Sequence, residues 1–132
     1  MAHNRETIIY PNAYTILRKQ LRAALAVPVH VAREPNPRPE EFIMLTPSGG
    51  EELSPAHAAR ACIVDAWADD EHKAYTLAEK ARAHLKTVAG VYDGTTVYGC
   101  RPLGGIVWMP DTDADVPRFR QNFTITLRGE AA

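Results

Sequence analysis

The run Arg60-Ala61-Cys62-Ile63-Val64-Asp65-Ala66-Trp67, followed closely by Ala74, Leu77, Ala78, Ala81, Leu85 and Val88, decides the fold. Its first part sets Cys62, Val64 and Ala66 on one face against Ala61, Ile63, Asp65 and Trp67 on the other, the two-residue period of a strand. Apolar side chains on both faces predict a central strand with helix covering at least one side. The second part recurs at steps of three, four and seven, which predicts an amphipathic helix capped by Asp69 or Asp70 and stopped by Gly90. Asp65 interrupts an otherwise apolar face, where an unpaired carboxylate is costly, so we expect an arginine across the sheet to pair with it.

Working toward the N-terminus, Asn12 precedes Ala13, Ile16, Leu17, Leu21, Ala24 and Leu25, an N-cap and an apolar stripe predicting a helix over about residues 12–25. Val27 to Ala32 reads as a short strand and Phe42 to Thr46 as a second. Between them, Pro35, Asn36, Pro37, Arg38 and Pro39 exclude helix and central strand and form an extended loop. That loop reads either as a stiff crossover or as a preformed surface that docks a partner with little loss of entropy. Ser48-Gly49-Gly50 predicts a turn.

Toward the C-terminus, strands are predicted at Val91-Tyr92, at Thr96 to Leu103, after a break at Gly104-Gly105 from Ile106 to Met109, and at Phe119 to Leu127. In the last of these Phe119, Phe123, Ile125 and Leu127 share a face that Gln121 interrupts. The order implies an α+β fold: a single mixed, mainly antiparallel sheet with two helices packed on it. Trp67, Leu77, Phe119 and Phe123 are expected in one core. Residues 1–132 read as a single domain whose ends, 1–6 and 129–132, are expected to be mobile.

Fifteen basic and sixteen acidic residues leave a net charge of -1, so no bulk electrostatic drive toward nucleic acid or anionic lipid exists. No stretch approaches the ~20 apolar residues of a membrane span, and we expect no membrane partner. Cys62 and Cys100 read as two packed thiols of a reducing compartment. Chemistry is equally scarce. Neither Ser48 nor Ser54 lies in a Gly-x-Ser-x-Gly elbow. His57 and Cys62, five residues apart along a strand, face opposite ways. The histidines show no zinc spacing. Asp111 to Asp115 begins like a calcium loop but has Val116 where Gly is required and Asn122 where Glu is required, which leaves a solvated acidic loop. The glycines at 99, 104 and 105 lack the lysine of a phosphate loop. No enzyme activity, no cofactor and no metal are expected.

Taken together, the N-terminal helix, the Val27-Pro28-Val29 strand, Pro35 to Pro39 with Glu41-Phe42-Ile43, the Gly49-Gly50 turn, Asp65-Ala66-Trp67-Ala68 and the helix with Ala74-Tyr75 and Leu77-Ala78-Glu79 resemble the tail terminator (tail completion, minor tail) proteins of long-tailed bacteriophages. The resemblance continues through Gly104-Gly105-Ile106-Val107-Trp108-Met109-Pro110-Asp111 and Pro117-Arg118-Phe119 to Leu127-Arg128. It implies a structural virion protein of a siphovirus, assembled in the host cytoplasm. There a homohexameric ring caps the head-proximal end of the tail tube, stops tube polymerisation and offers a surface for head-tail joining. The implied partners are further copies of itself, the tail tube protein and a head-tail connector protein, with genomic DNA passing through the ring without sequence-specific binding. The alternative is a head-tail connector or stopper of the neck. Pro35, Asn36, Pro37, Arg38 and Pro39 are the candidate subunit or partner contact.

Overall fold

The computed structural model describes residues 7–132; the expectation for residues 1–6 lies outside the described residues. Asn12 accepts hydrogen bonds from the amides of Tyr14 and Thr15 and so starts α1, Ala13–Leu25, which buries Ala13, Leu17 and Leu21. Asp70 accepts from the amide of Lys73 at 2.7 Å and starts α2, Glu71–Leu85. This second helix buries Ala74, Leu77, Ala78, Ala81 and Leu85. It ends at Leu85 rather than running to Gly90, although Val88 still packs into the core.

The strands are β1 Ile8–Ile9, β2 Val29–Val31, β3 Phe42–Ser54, β4 His57–Trp67, β5 Gly90–Tyr92, β6 Thr95–Trp108, β7 Arg118–Arg128 and β8 Glu130–Ala131. Six of them form one sheet in the order β2-β3-β4-β7-β6-β5. Among the described residues only β2 and β3 run parallel, and every other strand pair is antiparallel. The fold is α+β, with both helices on one face of a mixed sheet. Residues 129–132, expected to be mobile, include β8, which pairs antiparallel with β1 through Ile8 opposite Ala131 and Ile9 opposite Glu130.

Two expected breaks are continuous strand instead. The turn expected at Gly49-Gly50 is a bulge within β3, and the chain reverses at Pro55-Ala56. Gly50 has φ 123° and any Cβ there would run into the Ala59 carbonyl, so glycine serves close strand approach rather than reversal. Likewise the break at Gly104-Gly105 is an irregularity between Leu103 and Val107 inside β6.

The core beneath the helices joins Leu17, Leu21, Ile43, Leu45, Val64, Leu77, Leu85, Phe123, Ile125 and Leu127, with Phe119 packed at its margin. Trp67 is not part of it. Strand alternation puts Trp67 on the opposite face, where it is fully buried and stacks on Phe42 with ring centroids 4.6 Å apart. Asp65 shares that face and is paired as expected. Its carboxylate accepts from Arg120 Nε at 2.8 Å and Nη2 at 3.0 Å, directly across from it on β7. Gln121, the polar interruption of β7, is buried and donates to the Ala78 carbonyl at 2.8 Å, tying sheet to helix.

Candidate subunit interface

The loop between β2 and β3 folds across the helix-free face of the sheet. Arg38 donates through Nη2 to Glu34 at 2.9 Å and to Asp111 at 3.1 Å, and its guanidinium lies 5.9 Å from the Trp67 ring centroid. Arg118 lies 5.1 Å from the same ring. Arg38 is thus engaged within its own chain. Asn36 and Pro37 stand exposed at the crest of the loop, while Pro35, Arg38 and Pro39 are half-buried.

Burial works against the charge on Arg38, but the hydrogen bonds and charges of Glu34 and Asp111 outweigh it and hold its pKa above the usual value. Burial also works against the Asp111 carboxylate. There the Ala114 amide, Arg38 and the Asp113 amide prevail and hold its pKa below the ordinary 3.8. A depressed carboxyl contributes stability that is present above its unfolded pKa and is lost as pH falls through the folded one. The Arg38–Asp111 link should therefore persist at pH 4 and open only at more acid pH. Following the Asp111 carboxyl and the Trp67 indole signals by NMR checks this, and Asp111→Asn should abolish the transition.

Both long edges of the sheet are only partly covered. β2 covers β3 at Ile43, Met44 and Leu45 alone, leaving residues 46–54 without an outer partner. β5 covers β6 at Thr95, Thr96 and Val97 alone, leaving residues 98–108 without an outer strand, although Arg82 of α2 donates to the Gly104 carbonyl at 3.0 Å. Along the open β6 edge Tyr98, Leu103, Val107 and Trp108 are exposed, and Tyr75 of α2 adds to the apolar surface beside Phe119. This edge did not stand out in the sequence, where Gly104-Gly105 divided it into two short strands.

At the far end of the open face, His57 bonds through Nδ1 to Ser54 Oγ at 2.9 Å and through Nε2 to the Tyr98 hydroxyl at 3.0 Å. Ser54 Oγ also accepts from the amides of Ala56 and His57, so this group closes the β3–β4 reversal rather than presenting a nucleophile. Cys62 and Cys100 are both buried, which pushes each thiol up to about 12. Asp111 to Asp115 gathers around its own backbone, and among the described residues no group of three His, Cys, Asp or Glu is placed to hold a metal ion. Among those residues, no helix is long and apolar enough to cross a membrane.

No family model and no curated protein matches the chain. Among solved structures, a chain of the "Virion of native gene transfer agent (GTA) particle" is similar at a TM-score of 0.59 and 17% identity, over 88% of this chain and 94% of that one. At that identity the likeness is one of fold.

Proposed function

We propose that the chain is a structural subunit of a phage-like virion, and within it the tail terminator: a ring at the head-proximal end of the tail tube that halts tube growth and receives the head. The fold shared along nearly the whole of both chains with a chain of a gene transfer agent virion supports the virion part of this reading, and the terminator role rests on the resemblance in sequence. The partly uncovered β3 and β6 edges suit it, because a head-to-tail contact between two different surfaces closes into a ring when the rotation permits. No catalysis is required. The chain needs one surface matching the tube and a different one for the head connector, and Asn36 and Pro37 at the loop crest are offered to one of these partners. A head-tail connector of the neck is the alternative reading, since it shares these needs.

Loss of the gene separates the two. Tube subunits add through repeated identical contacts, so a tube stops only where something binds its end more favourably than the next tube ring. Without a terminator, electron micrographs of the lysate should show overlong tails unjoined to heads. Tails of normal length beside unjoined heads would transfer the assignment to the connector, and fully infectious particles would end both readings.

A further inference from the structure

We infer that the open edge of β3 in one copy pairs with the open edge of β6 in the next, extending the sheet from subunit to subunit; this rests on the ring reading for its closure. Register across the sheet gives the fit. Following the pairs from β3 through β4 and β7 to β6 puts Glu51 level with Gly99, and Gly49 level with Arg101, within one chain. Glu51, Gly49, Arg101 and Leu103 all lie on the helix-free face, because their partners Ala59, Ala61, Thr124 and Asn122 do.

Now let the β6 of a second copy lie antiparallel beside β3, displaced by two residues. An even step keeps every side chain on its own face. Glu51 then opposes Arg101, an acidic and a basic group that are both exposed. Leu103 opposes Gly49, above which there is open space. The bulge at Ser48 falls beside the irregularity that begins at Gly104, and Ser54 reaches Tyr98, the first residue beyond the cover of β5. The same displacement therefore clears β5, matches the charges, seats an exposed leucine and brings the two irregularities to one level. A stagger of this kind is what a closed sheet takes up as strand tilt. Pro47 and Pro102, each lacking a donor, are tolerated on edges.

Cross-linking tests the register on the whole chain. Glu51→Cys combined with Arg101→Cys, oxidised at pH 8 and high protein concentration, should give a ladder of disulfide-linked multimers ending in a discrete closed species. The native thiols, buried and pushed up to about 12, do not compete. The control pair Lys19→Cys with Arg101→Cys uses an exposed residue of α1 and should remain largely monomeric. As a second measurement, Arg101→Glu should weaken self-association about ten-fold, and adding Glu51→Arg should restore it.

Cross-linking of the 51/101 pair no faster than the control, or no rescue by the charge swap, overturns the pairing. Overlong tails on gene loss without 51/101 cross-linking would remove this interface and leave the terminator reading standing. Cross-linking with normal tails would do the reverse.

Discussion

Arg120→Ala is expected to destabilise the protein by about 3–5 kcal/mol, because it leaves the Asp65 carboxylate buried without a counter-charge. The two faces of the pair differ: the Asp65 side chain is 1% exposed and that of Arg120 is 30% exposed. Removing the arginine strands a charge that water barely reaches. Removing the carboxylate strands a guanidinium that water partly solvates, so Asp65→Ala should cost less, on the order of 1–3 kcal/mol. Replacing both together by Leu and Met should come out near neutral, since the desolvation of the two ions is removed with their attraction. Urea unfolding measures all three. With m of ~2 kcal/mol/M, Arg120→Ala should lower the midpoint by roughly 2 M. A shift of only a few tenths would mean that water or another cation neutralises Asp65, and equal costs for the two single variants would contradict the asymmetry of burial.

That pair also shows what the sequence carries. Asp65 on an apolar strand face demands a partner whatever the tertiary detail, and the requirement for an arginine across the sheet can be read without coordinates. Asn12, Asp70 and the three-four spacing of α1 and α2 are legible for the same reason: capping and amphipathic periodicity are local. Gly49-Gly50 and Gly104-Gly105 mislead because glycine marks a turn, a bulge or a close backbone approach alike. Which of these applies depends on Ala59 and on strands β4 and β7, distant in sequence. Reading those pairs as breaks cut β3 and β6 short and so hid both open edges. The candidate contact at Pro35 to Pro39 was legible as an extended loop. That Arg38 turns inward to Asp111 depends on a contact 73 residues away, which no local pattern encodes.

Trp67→Ala should cost about 3–5 kcal/mol, although the residue lies outside the core beneath the helices. On the helix-free face Trp67 is fully buried, stacked on Phe42 at an interplanar angle of 10° and flanked by the guanidinium groups of Arg38 and Arg118. Its removal opens a cavity under the proline loop and deprives two cations of their ring. Arg38 of the loop rests beside that ring, so the loop should lose protection from amide exchange before the helices do. Trp67→Phe is the informative companion. It keeps a ring against Phe42 and discards an indole N–H that is buried with no acceptor, so the lost volume is partly offset and its cost should fall well below that of alanine. Fluorescence reports the site separately, because the other tryptophan, Trp108, is exposed. Acrylamide should quench one of two emitting populations in the native protein, and only the readily quenched one should remain in Trp67→Phe. If the two variants cost the same, the ring stack contributes nothing. If Trp67→Ala costs less than 1 kcal/mol, the loop does not hold this face closed, and residues 35–39 would be free to move toward a partner.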